Sequence, residues 1–187
     1  MPIPAFSGGL LPPFEGGDAT TPLRSPYQAT MVDVVTRFAL SPPRIEILSG
    51  LLRFRALLRQ VGVTQGFQWL NGSFMEERSP RDIDVVTFHA VGASNVAGLP
   101  QTDFDAAVAL AGDHHRVKAS MKCDAYFIYL EWPRPYLVRQ VAYWLSLFSH
   151  TRAPVRWKGL VQVDLGAPDD AADSLLRSQA QRLGVSP

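Results

Sequence analysis

Apolar residues recur along the chain with two periods, and the alternation between them predicts its elements. Over residues 30–39, Met31, Val34, Val35 and Phe38 share one helical face behind a cap from Thr30 or Asp33. Ser41-Pro42-Pro43 breaks that pattern and starts a second helix, with Pro43 in a first-turn position. There Ile45, Leu48, Leu51, Leu52, Leu58 and Val61 keep helical spacing and Gly62 ends the run; Arg53, Arg55 and Arg59 fall mostly on other positions, which puts them at the rim of a helix packed on a sheet.

Residues 67–89 follow, FQWLNGSFMEERSPRDIDVVTFH, an apolar run ending in Asn71-Gly72-Ser73, a polar loop, then Asp82-Ile83-Asp84 opening a second run through Phe88. These read as two strands joined by a short connection. Residues 91–101 are loop-forming, Thr102 or Asp103 caps a short helix through Leu110, and the segment DHHRVKASMK after Gly112 is polar and basic. A third strand spans residues 123–130 and an aromatic-rich amphipathic helix residues 135–150, with Leu137, Val138, Val141, Trp144, Leu145 and Phe148 on its apolar face. A fourth strand spans residues 159–165, and a last helix begins at Pro168-Asp169-Asp170, with acids in its first turn and arginines in its last. This order predicts an α+β (mixed α/β) fold, a mixed sheet of about four strands flanked by helices.

Ahead of these elements, residues 1–27 carry Pro2, Pro4, Pro12, Pro13, Pro22 and Pro26 among Gly8, Gly9, Gly16 and Gly17, a density that neither helix nor central strand tolerates. Ile3, Phe6, Leu10, Leu11 and Phe14 make it an arm laid on the domain; residues 28–187 then form one domain.

Composition changes this picture little. The apolar share is 47% and the charged share 19% of 187 residues, the balance of a soluble globular chain. A net charge of +1 gives no global basic field, so any acidic ligand must be held by a local patch. The lone Cys123 excludes an internal disulfide and a multi-cysteine zinc site; with no apolar run of membrane-spanning length, the reading is cytoplasmic with no membrane contact.

The candidate chemistry lies in the central stretch. Asp82 and Asp84, two apart at the head of a strand, point to the same face, and carboxylates so placed repel unless a divalent cation neutralises them. Asp124, opening a later strand, is the third carboxylate that would let two ions hold the attacking and leaving oxygens of a phosphoryl displacement. Gly72 lets a backbone approach phosphate, and Ser73 can donate to its oxygens.

Gly72-Ser73, the run Asp82-Ile83-Asp84-Val85-Val86 and the strand carrying Asp124 resemble the signature of the DNA polymerase β-type nucleotidyltransferase superfamily. With the arm PIPAFSGGLLPP and the strands CDAYFIYL and WKGLVQVDL, the chain is similar to the DUF6932 family of small bacterial nucleotidyltransferase-like proteins, over roughly residues 2–165. The superfamily resemblance implies a nucleoside triphosphate on the Gly72-Ser73 turn and Mg²⁺, or Mn²⁺ in its place, on Asp82, Asp84 and Asp124. It further implies transfer of a nucleoside monophosphate to a hydroxyl of a protein, RNA or small molecule, with Asp124 helping to activate that hydroxyl. Residues 74–81 make a shorter connection than is typical of the superfamily and lack its Ala-Arg-Gly continuation. That departure keeps open an alternative, a catalytically weak nucleotide- or protein-binding relative with a regulatory or toxin–antitoxin and defence role.

Around this set, Arg78 and Arg81 lie between the turn and the carboxylates and, with Lys158, are the first candidates for phosphate contact; Lys118, Lys122, Arg152 and Arg156 follow. His114-His115 lack a third ligand at zinc spacing and read as surface residues. Ser73 is not in a G-x-S-x-G elbow, and Cys123 reads as buried and inert.

Overall fold

A computed structural model describes residues 3–16 and 20–185. Pro2 and Gly17, two of the residues on which the arm is read, lie outside them. Among the described residues, six helices flank a five-stranded mixed sheet. The elements are β1 (Tyr27–Ala29), α1 (Met31–Phe38), α2 (Pro42–Gln60), β2 (Gly66–Asn71), a 3₁₀ turn (Gly72–Met75), β3 (Ile83–His89), α3 (Gln101–Gly112), α4 (His114–Met121), β4 (Cys123–Tyr129), α5 (Arg134–Phe148), β5 (Val161–Asp164) and α6 (Asp170–Arg182). The mixed α+β architecture is the expected one. The strand β1 and the helix α4 are additions to it.

The sheet order is β1-β5-β2-β3-β4. Because only a short connection separates β2 from β3 they pair antiparallel, whereas β3 and β4, joined through α3 and α4, pair parallel. Pairing in that parallel ladder sets Asp84 opposite Asp124.

Strand periodicity divides the core. One face sends Leu70, Val85, Ala125 and Val163 into the larger cluster with α1, α2 and α6; the other sends Trp69, Val86, Phe88 and Ile128 against Trp144 and Phe148 of α5. Since Asp84 is two residues before Val86, and Asp124 four before Ile128, both carboxylates belong to the α5 face. The apolar face of α5 is narrower than expected: Leu137, Val141, Trp144 and Phe148 pack on the sheet, while Val138 is 65% exposed and Leu145 39%.

One arginine of α2 departs from the sequence reading. Arg55 is 1% exposed and not at the rim: its guanidinium donates to Asp169 Oδ2 (2.7 Å), Gln68 Oε1 (2.8 Å) and the Asp164 carbonyl (2.7 Å), and Gln68 in turn donates to Thr87. With Asp169 also held by Arg59, this network ties α2 to the sheet and to the start of α6. Arg44, also buried, donates to the carbonyls of Phe74 and Glu76 and lies 4.9 Å from the Phe74 ring, so it anchors the loop that follows β2.

The arm runs along the same loop. Leu11 N–H donates to Met75 O, Glu77 N–H to Gly9 O, and Gly159 N–H to Leu11 O, so the arm bridges the segment after β2 and the segment before β5. A Cβ on Gly159 would stand 2.4 Å from Pro12 O, so this close approach requires glycine. No described helix is long and apolar enough to cross a membrane.

Candidate functional site

The two loops that the arm joins form opposite walls of a cleft of about 490 Å³ on the α5 face of the sheet. Its floor is Asp82, Asp84 and Asp124 at the N-terminal ends of β3 and β4; one wall is Gly72, Ser73, Glu76 and Arg78, and the other is His150, Arg152, Pro154, Arg156 and Lys158 beyond α5.

Asn71, at the end of β2, closes the corner. Its side-chain amide donates to Phe148 O (3.0 Å) and Gly159 O (3.2 Å), while its Oδ1 accepts from Gly72 N–H (2.7 Å). Gly72 adopts φ +80°, and a Cβ there would lie 2.9 Å from both Cγ and Oδ2 of Asp84. Glycine at this position therefore makes room for the carboxylate. Its N–H is already engaged by Asn71 and its carbonyl accepts from Lys158 Nζ at 3.0 Å, so the turn meets the floor of the cleft through shape. Ser73 lines the cleft, and its hydroxyl makes no hydrogen bond among the described residues.

The carboxylates are unequally satisfied. Lys118 Nζ stands between two of them, 3.0 Å from Asp82 Oδ2 and 2.5 Å from Asp124 Oδ2, and the bond to Asp124 pushes the lysine's pKa upward. His114 Nε2 lies 3.0 Å from Asp124 Oδ1, and its Nδ1 lies 3.2 Å from Ala125 O. That carboxylate oxygen is buried, and a ring carrying its proton on Nε2 would donate to it. Asp84 makes no hydrogen bond among the described residues. Burial first, then the charges of Asp124 and Asp82, push its carboxyl up to about 6 from 3.8.

Other candidates distribute around this floor. Lys158 lines the cleft but is buried, its ammonium held by Gly72 O and Glu76 Oε1 (3.3 Å), and burial lowers its pKa against the opposing pull of Glu76. Arg78 lines it and pairs with Glu76 at 2.6 Å. Arg81 is exposed outside the cleft lining, and Lys122 pairs with Glu46 at 3.5 Å. Arg152 and Arg156 line the far wall; Arg156 donates to Gly8 O, whereas Arg152 makes no hydrogen bond or ion pair among the described residues. Arg152 is thus the cationic side chain of the wall left for a ligand. Sequence reading had not singled out Asn71, Glu76 or Arg44, whose partners are backbone atoms and side chains brought together by the fold. It placed His114 on the surface, and the structure sets it against Asp124.

A family model for a family of unknown function, DUF6932, matches residues 4–164, a span holding most of the arm, both walls and all three aspartates. The chain belongs to the DUF6932 family. No curated protein and no solved structure matches it.

The donor set bears on which cation this DUF6932 cleft could hold. Among the described residues no group of three or more His, Cys, Asp or Glu side chains is arranged to hold a metal ion. Magnesium, however, takes one or two carboxylates and completes its shell with water and substrate phosphate. Asp84, without a hydrogen bond, and its close neighbours Asp82 and Asp124 could hold one such ion on the floor of the cleft.

Proposed function

We propose that this DUF6932 protein is a cytoplasmic, Mg²⁺-dependent nucleotidyltransferase that moves a nucleoside monophosphate from a triphosphate to a hydroxyl acceptor. The observation that carries the reading is the convergence of Asp82, Asp84 and Asp124 on one face of adjacent strands, on the floor of a cleft whose walls carry Ser73 and Arg152. In this reading Arg152 and Ser73 bind phosphate oxygens, and the aspartates face the reacting phosphorus. A bound Mg²⁺ supplies neutralisation of charge between carboxylates and phosphates. The acceptor oxygen bonds to the α-phosphorus as the bond to pyrophosphate breaks, and the hydroxyl proton passes to a carboxylate of the trio, Asp124 in the scheme that the resemblance implies.

Incubation with α-labelled triphosphates, Mg²⁺ and protein or RNA acceptors should give covalent label that disappears in Asp82→Ala. Equal labelling by that variant would remove the proposal.

Two observations favour a second reading, in which the cleft binds nucleotide without transfer. Lys118 already bridges two of the three carboxylates, and Gly72 N–H is taken by Asn71. Tight triphosphate binding with no pyrophosphate release under any acceptor would select it.

A further inference from the structure

We propose that Lys118 is a built-in cation of the aspartate cluster, filling one of two cation positions so that the cleft takes a single divalent ion. The inference rests on the metal-dependent reading above and gives a reason for its single ion, where a third carboxylate would otherwise allow two.

Lys118 is presented by a short helix fixed at both ends. Asp113 caps α4 by accepting from Arg116 N–H at 3.0 Å, and Lys122 closes it in a left-handed conformation at φ 56°, which turns the chain directly into β4. Val117, adjacent to Lys118, is fully buried. This geometry returns the lysine toward Asp124, only six residues later, and sets its ammonium between Asp124 and Asp82.

Three carboxylates and one ammonium leave two uncompensated negative charges, which is the charge of one divalent ion. A second such ion would have to displace the ammonium from its two hydrogen bonds to Asp82 and Asp124. The partners agree with the count: Asp124 has Lys118 at one oxygen and His114 Nε2 3.0 Å from the other, while Asp84 makes no hydrogen bond among the described residues. Asp84 is the carboxylate left for a metal ion, and Lys118 stands in for the other ion beside Asp124 and Asp82.

Titration of the full chain with Mn²⁺ alone, with free ion counted by electron paramagnetic resonance, tests this without any substrate. Wild type should bind one Mn²⁺ per chain. Lys118→Met should bind two, the first about tenfold tighter because a positive charge beside Asp82 and Asp124 has been removed. Lys118→Arg, which keeps the charge, should return to one, and Lys122→Met, altering a lysine paired with Glu46 instead, should also bind one. If Lys118→Met fails to fold, Lys118→Gln serves as the neutral variant. Two ions on wild type, or one on both wild type and the neutral variant, would overturn the role of Lys118 and leave the metal-dependent reading standing. No ion on any of them would overturn both.

Discussion

Replacing Asp84 with asparagine should stabilise the protein at neutral pH. In the fold its carboxyl is pushed up to about 6 from 3.8 by burial and by Asp124 and Asp82. The folded state therefore binds this proton more tightly than the unfolded chain. Between those two values the native form holds more protons than the unfolded one, and stability falls as pH rises. Above about 6 the full penalty is present; below about 3.8 it is absent. The interval corresponds to about 2–3 kcal/mol at pH 7, after allowing for partial solvent screening. Asparagine removes the charge, retains the shape, and can donate to a neighbouring carboxylate. In urea denaturation at pH 7, Asp84→Asn should gain that amount, a rise of roughly 5–10 °C in Tm. Its stability should also lose much of the fall between pH 4 and pH 6 that wild type shows. A variant that is less stable than wild type at pH 7, or that keeps the wild-type pH slope, would refute the claim that Asp84 is a charge held against its neighbours. Such a cost, carried by a residue on the floor of a cleft, is what a group kept for ligand binding shows.

Other consequences are as specific. Gly72→Ala must take φ +80° and place a methyl carbon 2.9 Å from Asp84, so it should cost about 1–3 kcal/mol by chemical denaturation and abolish Mn²⁺ binding; an unchanged denaturation midpoint would contradict the close approach. Asp169→Ala leaves Arg55, 1% exposed, without its carboxylate and should cost about 3–5 kcal/mol in urea, whereas a loss below about 1 kcal/mol would mean that Gln68 and the Asp164 carbonyl suffice. Burial pushes the Cys123 thiol far above its ordinary range, so a thiol reagent should label it only at the rate of global unfolding; rapid labelling of the native protein would show that β4 opens locally.

Much of this was legible in the chain where one residue type has one physical use. Thr30 and Asp33 form the capping box of α1, with Asp33 N–H donating to Thr30 Oγ1 at 3.1 Å, and Gly62 ends α2 at φ +77°. The aspartates were readable because two residues at strand spacing must share a face, and their pairing across β3 and β4 then follows from a parallel register. The helix α4 was not. Its segment has Val117 as its one buried residue, too few apolar positions to reveal a helical face, and the only signal was Asp113 as a cap. Without that helix Lys118 read as a candidate for phosphate contact instead of the bridge between Asp82 and Asp124. Arg55 escaped for a different reason. An arginine among leucines reads as rim, and its burial depends on Asp169 and Asp164, more than a hundred residues away.

The central claim is that the aspartates and the far wall form one metal-dependent triphosphate site, and titration calorimetry with a non-hydrolysable nucleoside triphosphate addresses it most directly. Binding should require Mg²⁺, weaken about tenfold or more in Arg152→Ala through loss of a charge-assisted phosphate contact, and vanish in Asp84→Asn while that variant remains folded. Binding of equal strength without Mg²⁺, or unchanged in Asp84→Asn, would contradict it.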